Sequence, residues 1–276
     1  MAITAQDVNK LRQMTGAGMM DCKKALVEAD GDFDKAVEIL RKKGQKISAS
    51  RSDRETNEGT VFVKTSDDNT VGIVLSLNCE TDFVAKNEEF QSVGNAVLEA
   101  AFQNKPANLD ELKKLKIGDL TIEEKLTELV GKIGEKIDIG AYETLSSEMV
   151  VSYIHAGSRL GVLVALENTG GDAEEAGRDI GMQIAAMKPV ALDKDDVDQS
   201  TKDRELEIGR EQARAEGKPD KIIDKIAEGK LNKFFKDNTL VNQAFVKDPG
   251  MTVAQYVDSV NKGMKVTAFR RVTVNE

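Results

Sequence analysis

The sequence has one histidine, two cysteines, four prolines and no tryptophan in 276 residues, and each shortage removes a class of chemistry. A single histidine, His155, cannot build a multi-histidine metal site, and any serine–histidine–carboxylate mechanism would have to rest on it alone. Cys22 and Cys79 lie far apart and form no Cys-x-x-Cys pair, so they read as buried thiols of a reducing compartment. The chain opens without a signal-like apolar segment and its apolar runs last only a few residues, so a cytoplasmic protein with no membrane span is expected. Positive charge is in deficit, with 39 Lys and Arg against 48 Asp and Glu and a formal net charge of −9. That balance gives no reason to dock on nucleic acid or an anionic membrane, although a local basic patch remains open. A phosphate-binding loop is missing too: Gly131-Lys132, Gly217-Lys218 and Gly229-Lys230 lack both the upstream glycine spacing and the following Ser or Thr. No GxGxxG, HExxH or GxSxG occurs. These subtractions argue against several enzyme classes, and no cofactor or metal is expected.

What is present begins with helix punctuation, in a length that allows about two domains with real cores. Thr4 and Asp7 have capping-box spacing, and Val8, Leu11 and Met14 recur on one face behind them. After Gly16-Ala17-Gly18, a second stripe of Cys22, Ala25, Leu26 and Ala29 ends at Asp30-Gly31. Asp32 is placed to cap a third helix carrying Phe33, Val37 and Leu40, with Gly44 expected to stop it. Residues 1–47 therefore read as a three-helix module, and SASRSDRETNE over 48–58, with almost no apolar residue, as a linker.

Beyond the linker, TVFVKT (60–65), a polar turn at 66–69 and VGIVLSL (71–77) read as a β-hairpin feeding a buried strand. Phe90, Val93, Val97 and Ala100 follow at helical spacing. This hairpin-then-helix unit occurs twice. GIVLSL at 72–77 aligns with GVLVAL at 161–166 at a shift of 89 residues, and the same shift sets Val61 on Val150 and Ala96 on Ala185. An α+β fold with two similar core subdomains is expected, one over 59–140 and one over 141–192 with 231–276. The bridging stretch has helical spacing at Ile122, Leu126, Leu129, Val130 and Ile133. Residues 193–230 change to dense mixed charge, 12 acidic and 9 basic, with a thin apolar stripe (Val197, Leu206, Ile208) before Gly217-Lys218-Pro219. A fuller stripe follows at Ile222, Ile223, Ile226, Ala227, Leu231 and Phe234, which predicts an inserted antiparallel helical hairpin. VTAFRRVTV (266–274) alternates as a strand returning to the second subdomain's sheet.

Two short segments depart from ordinary packing patterns. In TGAGMMDCKKAL (15–26), two glycines free the backbone ahead of adjacent Met19 and Met20, with Lys23 and Lys24 behind. Both methionines either plug the three-helix core or form a soft exposed patch suited to a protein partner. In LNCETDFVAKNEEF (77–90), Phe83 stands among Glu80, Thr81 and Asp82, and the second repeat has Gly170-Gly171-Asp172 instead. Phe83 either packs beneath the helix that Asn87 caps or projects as a wedge. His155, at the end of a strand, reads as a core or interface residue, because the sequence supplies no catalytic partners for it.

LRQMTGAGMMDCKKAL and LNCETDFVAK resemble the two signature segments of the elongation factor Ts family, guanine nucleotide exchange factors of the translational GTPase elongation factor Tu. The similarity continues in order through KIGEKI (132–137), YIHAGSRLGVLVAL (153–166), AAMKP (185–189), GKPDKIIDKIAEGKLNKF (217–234) and QAFVKD (243–248). The resemblance implies a module like a ubiquitin-associated domain, two α+β core subdomains and a helical coiled-coil hairpin. It sets Arg12, Met19, Met20 and Lys23 against the GTPase domain of the partner. It makes Asp82 and Phe83 the intruding pair, Phe83 in an apolar gap between partner helices and Asp82 near the magnesium and phosphates. Ile133, Gly134, His155 and Val246 fall on further contact positions. The implied partner is elongation factor Tu, GDP-bound and nucleotide-free, in a heterodimer or two-plus-two complex without direct nucleic-acid or membrane contact. An adaptor that binds ubiquitin-like or other helical partners through residues 1–45 is the competing reading.

Overall fold

A computed structural model describes residues 3–274 as mixed helix and sheet in two compact units. One unit holds 3–62, 75–143 and 272–274, and the other 63–74 and 144–271.

The first unit opens with α1 (Ala5–Thr15), α2 (Met19–Glu28) and α3 (Phe33–Ser50). The capping box at α1 is closed: Asp7 N–H donates to Thr4 Oγ1 and Thr4 N–H to the Asp7 carboxylate. Gly16 ends the helix in the left-handed conformation at φ +68°. Asp32 caps α3 by accepting from Lys35 N–H at 3.1 Å. Val8, Leu11, Cys22, Ala25, Leu26, Ala29 and Ala36 make the buried centre of these helices. The expected stop at Gly44 is not there, because α3 runs through that residue to Ser50. Gly44 is buried against a later helix, so its missing side chain serves close approach and does not terminate the helix.

Two hairpin strands follow, β1 (Glu58–Thr65) and β2 (Val71–Cys79), joined by a turn in which Ser66 N–H bonds Val71 O at 2.9 Å. Then come α4 (Asp82–Ala85), α5 (Glu88–Asn104), α6 (Leu109–Lys114), the short strands β3 (Lys116–Ile117) and β4 (Leu120–Thr121), α7 (Ile122–Ile133) and β5 (Ile137–Ser146). The helical spacing in the bridging stretch becomes α7, with a Thr121–Glu124 capping box, a left-handed Gly134 at its end, and Ile122, Leu126, Leu129 and Val130 buried. Gly131 of α7 faces Gly44: a Cβ on Gly131 would lie 2.7 Å from the Gly44 Cα, so the two backbones nearly touch. The strand order in this sheet is β1-β2-β5.

The second unit is built on β6 (Met149–Ile154) and β7 (Leu160–Glu167), antiparallel with Val150 opposite Ala165, followed by α8 (Ala173–Met187). Next are α9 (Gln199–Ala215) and α10 (Asp220–Asn238), β8 (Ala244–Phe245), β9 (Asp248–Thr252), α11 (Val253–Val260) and β10 (Lys265–Thr273). The strand order is β10-β7-β6, so the alternating C-terminal segment pairs with β7. Val162, Val164, Leu166, Ile180, Ile184, Leu240, Val253 and Val257 lie in the core. In the charged stretch, α9 and α10 pack on each other through Ala213, Ile223 and Ala227, and Arg210 Nε donates to Asp224 at 2.8 Å. α10 continues without a break through Lys230 to Asn238. The aligned segments occupy like places: 72–77 lies in β2 and 161–166 in β7, and in each sheet a third strand joins the second strand of the hairpin.

Candidate functional site

In the first unit, α7 ends beside both segments that the sequence singles out. On one side its Lys132 lies over the Gly16 turn, where a Cβ on Gly16 would sit 2.8 Å from Nζ, and the ammonium donates to Glu89 at 2.7 Å. This turn leads into α2 with Met19 54% and Met20 63% exposed. The core beneath them is filled by Leu11, Cys22 and Leu26, each fully buried, which leaves both methionines outside. Arg12 and Lys23 are exposed with them, and Met14, which the sequence pattern assigns to an inner stripe, is 58% exposed. The result is an apolar, polarizable patch carrying cations.

On its other side, α7 passes through half-buried Ile133 and Gly134 to Glu135, whose carboxylate accepts from Thr81 N–H at 3.1 Å and from Thr81 Oγ1 at 2.8 Å. Thr81 is the N-cap of α4 and accepts from Val84 N–H. In that single turn Val84 and Ala85 are buried, which puts Phe83 on the outer side with 80% of its surface exposed. Phe90, in the first turn of α5, is fully buried instead. Asn87 caps α5, accepting from Glu89 and Phe90 N–H. Asp82 lies beside Phe83, and its hydrogen bond from Lys86 at 2.7 Å holds the carboxyl below the usual range. Such an exposed pair contributes little to folding, so Asp82 is free to exchange Lys86 for another partner. Under this loop Cys79 is buried, and burial together with the nearby Glu135 charge pushes its thiol up to about 12.

In the second unit, His155 is exposed just past β6, with its Nδ1 2.9 Å from Tyr153 Oη. Val246, 42% exposed, stands in the turn between β8 and β9. Fully buried Gln183 accepts from Val246 N–H at 2.8 Å and donates to Gln243 and Ala244 O, so one amide braces the turn. Lys247 donates to buried Asp179 at 2.6 Å, Tyr256 also donates to Asp179, and the Tyr256 ring stacks on Phe245. A polar Gln183 inside the apolar run of Ile180 and Ile184 is the signal that could have flagged this brace in advance.

Among the described residues, no cluster of His, Cys, Asp and Glu could hold a metal ion, and no helix is long and apolar enough to cross a membrane. The surfaces therefore offer exposed apolar and charged contact groups on firmly held turns. Comparison with known proteins gives these surfaces their setting. A family model described as Elongation factor TS matches residues 80–276. The chain is 56% identical over 275 residues to "Elongation factor Ts" of Amoebophilus asiaticus, covering 99% of each chain. It is 55% identical over 275 residues to "Elongation factor Ts" of Cytophaga hutchinsonii, again 99% of each. Identity to the same-named protein of Porphyromonas gingivalis is 48% over 276 residues, 100% of this chain and 99% of that one. These likenesses are to translation elongation factors. The chain belongs to the elongation factor Ts family.

Proposed function

We propose that this protein is the guanine nucleotide exchange factor of elongation factor Tu and works by contact alone. The observation that carries the reading is Phe83, a large apolar side chain 80% exposed on a turn anchored by buried Val84 and Ala85. Burying a phenylalanine contributes about 2–3 kcal/mol, and almost none of that is realised in the free chain. Phe83 enters an apolar gap between partner helices, and Asp82 approaches the magnesium and phosphate region. Bound GDP depends on backbone N–H groups around its phosphates and on an Mg²⁺ that demands near-octahedral geometry. Displacing those elements raises the free energy of the nucleotide-bound state. No covalent bond changes, so neither nucleophile nor base is required.

In this reading Arg12, Met19, Met20 and Lys23 grip the GTPase domain, and Ile133 and Gly134 extend the contact. His155 and Val246 bind a further part of the partner. Residues 1–47 act as a ubiquitin-associated-like recognition module, whose last helix carries on to Ser50, and the linker expected over 48–58 is shortened to the stretch between that helix and β1 at Glu58. The core is a duplicated α+β subdomain, 59–140 and 141–192 with 231–276, a reading supported by the matching strand orders of the two sheets. The pair α9 and α10 is its coiled-coil hairpin; the insertion expected over 193–230 extends with α10 to Asn238. The factor binds elongation factor Tu in the cytoplasm, in its GDP-bound and nucleotide-free forms, one to one or two to two. Adding this chain to elongation factor Tu loaded with fluorescent GDP, with excess unlabelled GDP present, is expected to speed loss of the label by at least roughly tenfold. An unchanged release rate would overturn the proposal.

A further inference from the structure

The Phe83 turn is held by two carboxylates in opposite senses. Glu135 accepts from Thr81 N–H and Thr81 Oγ1, and Glu80, next to Thr81, accepts from Lys136 N–H at 2.6 Å. Each of the two loops thus gives a carboxylate to the other's backbone. The remaining valences tie the pair to the segment after α3: Arg51 Nη1 donates to both oxygens of Glu80, at 2.8 and 3.1 Å, and Lys136 Nζ donates to Ser52 O and Arg54 O. Although burial opposes its charge, these donors hold the Glu80 carboxyl below the usual range. The Thr81 hydroxyl both donates to Glu135 and accepts from Val84 N–H, which couples the clasp directly to the start of α4. A four-residue helix has too few internal hydrogen bonds to persist by itself, so its order must come from such external ties.

We infer that Glu135 and Glu80 are positioning residues which keep the Asp82–Phe83 turn in its projecting conformation before any partner arrives. The inference rests on the exchange reading above. A wedge already in place when the partner arrives needs no ordering on encounter, whereas a loosened turn lowers the fraction of chains able to dock and raises the apparent dissociation constant by that fraction. Once docked, the partner itself holds the turn. The consequence is a split: loss of the clasp weakens half-saturation and spares the maximal rate.

The test uses the full chain with Glu135→Ala, which removes both acceptors, and Glu135→Gln as a milder second variant. Fluorescent GDP release from elongation factor Tu is measured against factor concentration, and amide hydrogen exchange is measured on each chain alone. For Glu135→Ala we expect the half-saturating concentration to rise roughly tenfold with the maximal rate within about twofold of the parent. Glu135→Gln, which keeps one acceptor, should fall between. Amides of Thr81 to Lys86 should exchange faster while those of Val97 and Leu98 in α5 keep their protection. Unchanged half-saturation with unchanged exchange at Thr81 to Lys86 in both variants would overturn the inference, as would a fall in maximal rate at unchanged half-saturation. If the parent chain leaves GDP release unaltered, the exchange reading fails. Hydrogen exchange on the free chain then still decides whether the clasp holds the turn.

Discussion

Replacing Phe83 by alanine is expected to lower GDP release from elongation factor Tu roughly thirtyfold at limiting factor, with no change in thermal stability. The two halves of that result come from the same number. A side chain 80% exposed adds almost nothing to the folded chain, so its removal leaves no cavity. Most of its apolar surface remains available for burial in the partner, where losing about 2 kcal/mol corresponds to about thirtyfold. The contrast with Phe90 is the internal control: fully buried in the first turn of α5, it should cost about 3–5 kcal/mol of stability when truncated. Stopped-flow release of fluorescent GDP and a thermal melt check the two halves separately. If Phe83→Ala exchanged nucleotide at the parent rate, the wedge role would be lost even though the family assignment stood.

The second large effect falls on stability, at two facing glycines that should answer the same substitution with opposite signs. In Gly131→Ala the new methyl lies 2.7 Å from the Gly44 Cα, backbone against backbone, so α3 and α7 must move apart. Overpacking of that kind costs about 1–3 kcal/mol, which outweighs the ~0.5–1 kcal/mol that alanine gains over glycine in a helix. In Gly44→Ala the nearest neighbours are Thr127 O at 3.4 Å and the Gly131 Cα at 3.6 Å, which is ordinary contact. The helix-propensity gain then dominates, and the variant should match or exceed the parent. Urea midpoints at unchanged slope give both values, and equal shifts for the two would contradict the close-approach account.

Those glycines also show where the sequence stops being legible. Capping residues act within a few positions, so Thr4, Asp32 and Asn87 announce their helices and each makes the expected bond. Gly44 carries the same local signal as a helix stop, and only its partner at 131 reveals that the helix continues. Phe90 belongs to an apolar stripe at helical spacing, whereas the side that Phe83 takes is settled only by the phase of a one-turn helix anchored at Thr81. The anchor, Glu135, is 54 residues away, and no periodicity points across that distance. The resemblance to the family nominated the contact residues. The physical reason Phe83 stands exposed on a held turn lies in tertiary bonds.

The central claim is that this chain and GDP oppose each other on elongation factor Tu, and linkage makes the opposition reciprocal. Calorimetric titration of the chain into nucleotide-free elongation factor Tu, and into the same protein saturated with GDP, tests it most directly. The affinity should be higher for the empty form, by the same factor by which saturating chain lowers the GDP affinity. Equal affinity for the two forms would contradict the account, because a factor without differential binding cannot drive exchange however tightly it holds.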